Sequence, residues 1–226
     1  DYRVDAVAVV DPPAGSGRLQ DLWFVRSIDQ GATWSTPYAI QFLTETSVPD
    51  VGLAIGPGGI VHVAYSAKSE SASDADDVAY LRGTNAAASP FDWPSTPVVL
   101  TSTGDGVSQF FDDMAVSILD GSVLLAFTSI PAGSTERRLV ASLDGGLSWS
   151  APGPPFETRS LPDLEYDPLG DRFVAGAVVE QSAVIARAPA ASPTTLGPWS
   201  RFSDTTSPVH RSEEHTSELQ SHAPIS

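Results

Sequence analysis

The apolar residues of this 226-residue chain come in short runs rich in Val, Ala, Leu and aromatic side chains, cut by Gly, Pro, Asp and Ser. No segment longer than about ten residues keeps the 3.6-residue period of an amphipathic helix, so the pattern predicts β-strands throughout. Four runs stand in register: Asp21–Arg26, Asp77–Arg82, Arg138–Ala141 and Ala183–Arg187, each followed by a tryptophan, Trp34, Trp93, Trp149 and Trp199. These tryptophans are 59, 56 and 50 residues apart, a spacing typical of repeat architectures. Upstream of the last three runs lie pairs of strand signals joined by Gly-containing turns. They are Val51–Ile55 with Ile60–Tyr65, Met114–Ile118 with Val123–Phe127, and Leu164–Tyr166 with Arg172–Ala177. Each repeat is therefore expected to be a four-stranded antiparallel meander.

Such a meander is the unit of a propeller blade. Between the third and fourth strands of two repeats lie Ser27-Ile28-Asp29-Gln30-Gly31-Ala32-Thr33-Trp34 and Ser142-Leu143-Asp144-Gly145-Gly146-Leu147-Ser148-Trp149, both fitting S-x-D-x-G-x-x-W. Here the sequence resembles the Asp-box, or BNR, repeat of sialidase-type β-propellers, over residues 1–206. The copy from Gly83 to Trp93 carries an insertion, and the copy from Ala188 to Trp199 lacks the Asp. A short Asp side chain can accept N–H bonds within its own turn, Gly can take positive φ, and Trp can cover the end of the blade core. Ser27, Asp29, Gly31, Trp34, Ser142, Asp144, Gly146 and Trp149 are accordingly read as structural, and the resemblance implies that these turns face away from the ligand site.

The expected fold is all-β: a β-propeller of four-stranded antiparallel blades, incomplete, with about four blades present of six or more. Residues 2–11 align with second strands, so the first blade is expected to lack its innermost strand, and residues 207–210 to begin a further blade. Residues 211–226 share nothing with the Val/Ala/Pro/Gly-rich body before them. Arg211 to His222 resembles the in-frame translation of a short-read sequencing adapter, so this tail is expected to be non-native and is set aside from fold reasoning.

Composition narrows the function. Twelve Lys and Arg face 28 Asp and Glu, a net charge of −16, and this disfavours a nucleic-acid binder. Removing the one Arg and three Glu of the tail leaves −14, and of the four histidines only His62 and His210 remain in the body. Histidine-dependent catalysis and a histidine-rich metal site are thereby disfavoured. Absence of Cys excludes disulfide scaffolds and thiolate metal sites. No apolar stretch approaches the roughly 18 residues of a membrane span, and no export signal opens the chain. The resemblance implies an extracellular or periplasmic protein, and eleven Arg to one Lys suits a high-GC bacterial gene. Oligomeric state is left open.

In a propeller, ligands gather where chain segments enter the innermost strands. Those segments are Val48-Pro49-Asp50, Phe111-Asp112-Asp113 and Leu161-Pro162-Asp163, with Asp recurring each time. Asp50, Asp112, Asp113 and Asp163 could hold a hard cation such as calcium, accept sugar hydroxyls, or keep a proton for acid catalysis. They could equally cap the turns into those strands. Arg159 lies close enough in sequence to reach the same mouth. The acidic stretch Ser66–Asp76 reads as a solvated insertion or a specificity loop, and His62, alternating with Val61 and Val63, as a packed residue or a base. The family resemblance implies three arginines clamping a substrate carboxylate, a Tyr/Glu nucleophile pair and an Asp acid/base. The family's Arg-Ile-Pro motif is absent, and an acidic mouth suits an anionic sugar poorly. No nucleophile elbow, phosphate loop or EF-hand spacing is present. Two main readings follow: a propeller binding a glycan or other small ligand, with no metal or cofactor required and no complete catalytic set visible, or part of a sialidase-type glycoside hydrolase.

Overall fold

A computed structural model describes residues 3–17, 20–43, 50–68, 76–84, 92–101, 107–131, 134–156, 160–179, 182–198 and 200–201. Arg159, Trp199, residues 207–210 and the tail 211–226 lie outside these described residues. The described chain is β throughout apart from a 3-10 turn at Pro57–Gly59. Four antiparallel sheets follow one another along the sequence. The first holds β1 (Val4–Val10), β2 (Gln20–Ser27) and β3 (Tyr38–Leu43); the second β4 (Val51–Ile55), β5 (Val61–Lys68), β6 (Asp76–Gly83) and β7 (Val98–Val99). The third holds β8 (Ser108–Val116), β9 (Val123–Ile130) and β10 (Glu136–Ser142); the fourth β11 (Asp163–Asp167), β12 (Arg172–Val179), β13 (Ser182–Pro189) and β14 (Ser200–Arg201). In every sheet each strand pairs with the next in sequence, as a propeller blade requires.

The period-2 alternation of each strand decides how the blades stack. In the second blade Val61, Val63, Tyr65, Ala79 and Leu81 pack against Leu22, Phe24, Ile40 and Leu43 of the first. On the opposite face Ala64, Val78 and Tyr80 meet Val123, Leu125, Phe127 and Val140 of the third blade. The alternate residues Leu124, Ala126, Leu139 and Ala141 then meet Leu164, Phe173 and Ala175 of the fourth. Central strands thus bury both faces, which is why β5 and β9 read as nearly continuous apolar runs.

Two expectations are corrected. Among the described residues the third blade shows no fourth strand, only a bridge between Arg137 and Phe156. Gly153 and Phe156 still donate backbone bonds to Leu139 and Arg137 across this edge, but Pro152, Pro154 and Pro155 have no N–H to give and break the ladder. The inner strand of that blade begins at Ser108, not at Met114. Asp112 and Asp113 therefore sit inside β8, at a bulge where the register jumps between Phe111 and Asp113.

The two S-x-D-x-G-x-x-W segments share one hydrogen-bond plan. Ser27 Oγ donates to Asp29 Oδ1 at 2.7 Å and accepts the Gly31 N–H at 2.8 Å, while Asp29 accepts the Thr33 N–H at 2.9 Å and hydroxyl at 2.6 Å. Ser142 likewise donates to Asp144 at 2.7 Å and accepts from Gly146 at 2.7 Å, and Asp144 accepts the Ser148 N–H and hydroxyl. Gln30 and Gly31, like Gly145 and Gly146, have positive φ. A serine after each Trp extends the plan: Ser35 and Ser150 bond back to Arg26 and Ala141 through both N–H and Oγ.

The turn of the third blade is also a clasp on the second. Trp149 stands edge-on to Tyr80, ring centroids 4.7 Å apart, and Arg82 donates to the Gly145 carbonyl at 2.7 Å. The Tyr80 hydroxyl lies where a Cβ on Gly146 would be. Trp93 repeats part of this against the first blade, edge-on to Phe24 at 5.4 Å with its N–H on the Tyr38 hydroxyl. The tryptophans thus close seams between blades, where the sequence suggested a lid on each blade's own core. Trp34 is 46% exposed.

Gly146→Ala is expected to cost about 2–4 kcal/mol, combining left-handed strain with forced displacement of Tyr80. Gly58→Ala, also at positive φ but with open space around its Cβ, should cost only about 1 kcal/mol. Urea unfolding of the two variants measures the difference, and equal costs would refute the steric role of Tyr80.

Candidate functional site

Antiparallel pairing fixes which residues share an end of the molecule. The S-x-D turns and the turns from first to second strands lie together, with Gly121 packed beside Gly145. At the opposite end lie the starts of the inner strands and the turns between second and third strands, where Ser66 N–H bonds the Asp50 carbonyl. Inner strands β4, β8 and β11 are mutual neighbours in that order. Asp50, Asp112, Asp113 and Asp163 all fall at this end.

Their registers differ, which corrects the idea of one Asp repeated at one blade position. Asp113 pairs with Ala126 and Asp163 with Gly176, so these two are equivalent, but the matching residue of the second blade is Gly52, paired with Ala64. The Phe111 ring fills the place a Gly52 side chain would take. Asp50 lies two residues earlier and is exposed, and Asp112 is the extra residue of the bulge.

The bulge gives Asp112 and Asp113 different tasks. Asp113 accepts the N–H of Met114 at 2.8 Å and, across the seam, that of Leu164 at 2.6 Å, joining the inner strands of the third and fourth blades. Burial raises its carboxyl above the usual range against these bonds, and the neighbouring Asp163 adds to the rise. Asp112 takes a single hydroxyl, that of Thr128, which lies 2.9 Å from each of its oxygens. Thr128 pairs with Phe110 on β8 and with Arg137 on β10, and the Asp112 side chain reaches its hydroxyl from the unpaired bulge position two residues beyond Phe110. Burial pushes the Asp112 carboxyl up to about 6; the Thr128 hydroxyl and Arg137 oppose this, and Asp50 and Asp113 reinforce it. Thr128 and Arg137 were not singled out in the sequence, because only the strand register sets them beside the bulge.

Among the described residues no three His, Asp or Glu side chains gather closely enough to hold a metal ion. The acidic end consists instead of two half-buried carboxyls, Asp112 and Asp113, flanked by exposed Asp50 and Asp163. His62 is fully buried at the second seam, its Nδ1 2.7 Å from the Tyr80 hydroxyl, and burial, then Arg82, lowers it to about 4. It is a neutral packed group at pH 7. A mostly apolar cleft of about 240 Å³ lies where Pro154–Phe156 face Thr194–Gly197 at the proline-broken edge of the third blade. Among the described residues no helix is long and apolar enough to cross a membrane.

Successive antiparallel meanders of three or four strands, stacked face to face, give the chain the fold of a sialidase-like β-propeller. Solved structures agree on the fold. Trypanosoma rangeli sialidase matches with a TM-score of 0.61 at 15% identity, over 89% of this chain and 36% of that one. An ulvan lyase, described as a new family of polysaccharide lyase, matches with a TM-score of 0.51 at 15% identity, over 80% of this chain and 51% of that one. A protein of unknown function from Dyadobacter fermentans matches at 0.56 and 12% identity, over 89% and 61%. This chain thus spans about a third of the sialidase's length. No protein-family model matches the chain, and no curated protein is similar to it.

Acidification acts on His62 and Asp112 in opposite senses. His62, at about 4 when folded against 6.5 in the free side chain, contributes full stability above pH 6.5 that is lost as pH falls toward 4. Asp112, at about 6 against 3.8, costs stability when ionised, and that cost disappears as pH falls from 6 toward 3.8. Asp112→Asn is therefore expected to be more stable than the parent at pH 8, by a margin that shrinks through pH 6 and vanishes below about 4. Urea midpoints across this range check it, and a margin that does not change with pH would overturn the assignment.

Proposed function

We propose that this chain is part of a longer, exported Asp-box β-propeller protein of bacterial origin, whose mouth binds a neutral, hydroxyl-rich glycan through Asp112. The observation that carries this reading is the Asp112 carboxyl. It is half-buried at the bulge and, among the described residues, accepts a hydrogen bond from one hydroxyl, so both oxygens keep acceptor capacity for sugar hydroxyls. Asp50 and Asp163 beside it extend an acceptor-rich surface that favours hydroxyl donors and repels anionic sugars. Arg159 is proposed as a further ligand contact from its place in the sequence. Support also comes from the fold, since solved proteins sharing it are named for saccharide substrates, a sialidase and an ulvan lyase.

Calorimetry of the chain against neutral oligosaccharides, sialosides and calcium tests the reading. Heat is expected from a neutral saccharide, and Asp112→Ala should weaken binding by about tenfold, the worth of one charge-assisted hydrogen bond. No heat from any neutral saccharide would overturn it.

One feature favours a second reading, a portion of a sialidase-type hydrolase: a carboxyl pushed up to about 6 is suited to donating a proton near neutral pH. On that reading the arginine clamp and the Tyr/Glu pair come from outside this chain. A completed gene without them, or a full-length protein releasing no fluorophore from a sialoside, would remove it.

A further inference from the structure

At the end opposite the mouth, the S-x-D turns and the turns from first to second strands form one surface. A Cβ on Gly121 would lie 3.8 Å from the Gly145 Cα and 3.6 Å from Pro57, so turns of the second and third blades touch there. Inner strands β8 and β11 run side by side in one direction, and the Leu164 N–H on Asp113 fixes their offset. The turn after β8 and the turn after β11 therefore reach the same level. Further blades would stack on blade faces and would not cover these turns.

The turns expose large aliphatic side chains that their own geometry does not need. Ile118 and Leu119 are 58% and 61% exposed, Leu143 and Leu147 58% and 70%, and Leu169 99%. Leu119, Leu147 and Leu169 give their turns a backbone N–H, to Ser117, Asp144 and Asp167 respectively, a bond that any residue but proline could supply. In the first blade Ile28, 75% exposed, takes the place of Leu143 in the S-x-D sequence. A single exposed leucine is ordinary on a protein surface, whereas a group of them on adjoining turns marks a contact surface.

Carboxylates stand in the same turns: Asp120, Asp144, Asp167 and Asp171. Arg82 is turned onto the Gly145 carbonyl and Arg172 onto Asp167. Arg187 alternates with buried Ala186 and Ala188, which places it on the face of β13 away from the third blade. Apolar area is thus combined with surplus negative charge. We propose that this end docks a cationic segment of a partner polypeptide, its apolar side chains on Leu119, Leu147 and Leu169 and its Lys or Arg groups among the carboxylates. Charge argues against the rival occupants, since a chain of net charge −16 repels a second copy of itself, anionic lipid and nucleic acid. A saccharide brings no aliphatic side chains to cover the leucines.

Fluorescence anisotropy of labelled peptides titrated with the whole chain tests this. An amphipathic Leu/Lys peptide is expected to bind at least about tenfold more tightly than a Ser/Lys peptide of equal charge, and a Leu/Glu peptide not at all. Leu119→Ser and Leu147→Ser, both at exposed side chains, should each weaken the Leu/Lys peptide by about tenfold, with circular dichroism spectra unchanged. Val98→Ser, at an exposed position on the outer strand of the second blade, should leave binding as it was. Added salt should weaken it, because the ionic contacts are screened. Equal affinity for the Ser/Lys peptide, binding that neither leucine substitution weakens, or partition of the chain onto phosphatidylcholine vesicles in preference to the peptide would overturn the proposal.

Discussion

The close approach of Tyr80 to Gly146 is the contact on which the remaining arrangement depends. A blade is a sheet with two apolar faces, and it cannot be stable until both are covered. The second and third blades meet at a distance set by a tyrosine hydroxyl occupying the space of a missing side chain. Ser142 and Asp144 hold the turn so that Gly145 presents its carbonyl to Arg82, and Trp149 closes over the Tyr80 ring. One eight-residue segment thereby serves its own blade as a turn and its neighbour as a clasp. In the first blade the corresponding Arg26 instead forks onto Asp5 across the sheet, and beyond it, in the second blade, the matching turn carries the insertion.

Spacing at the box end propagates to the mouth. With the blades fixed face to face, the Phe111 ring must lie over the backbone of β4, and only a glycine at position 52 admits it. The bulge follows in β8 immediately after Phe111 and turns Asp112 toward Thr128 and Asp113 toward the fourth blade. The candidate site is therefore a product of seams. Asp113 is a bolt between blades, and Asp112 is the carboxyl that the bulge leaves for other work.

What was legible in the sequence was what short-range chemistry determines. The tryptophan period, the S-x-D turns and the third strands were readable because a hydroxyl, a carboxylate and a glycine within five residues settle their own geometry. Strand content was readable from alternation. The bulge was not, because nothing near Asp112 in sequence specifies it; it answers to Phe111 and to the register against β9. The unequal positions of Asp50 and Asp113 were hidden for the same reason. The prolines at 152, 154 and 155 were visible, but only the observed ladder shows which N–H groups they withhold. Trp34 resembled Trp149 in sequence, yet it is 46% exposed where Trp149 stands edge-on to Tyr80 of the neighbouring blade.

The acidity of the chain is sorted by end. At the box end Asp29 is held down at about 2 by the Thr33 hydroxyl first, then by backbone and Ser27 bonds, and Asp144 lower still by Ser148. Asp167 is held low by Arg172, and at Asp120 burial is outweighed by bonds from Ser122 and Ser117. These carboxylates answer local donors and stay ionised at any physiological pH. At the mouth, burial dominates, and Asp112 and Asp113 shift upward. The same residue type is a fixed anion where it closes a turn and a titratable group where it lines a seam. Among the described residues the group poised to exchange a proton near neutrality is therefore Asp112 at the inner-strand end, with the box end remaining a constant negative background.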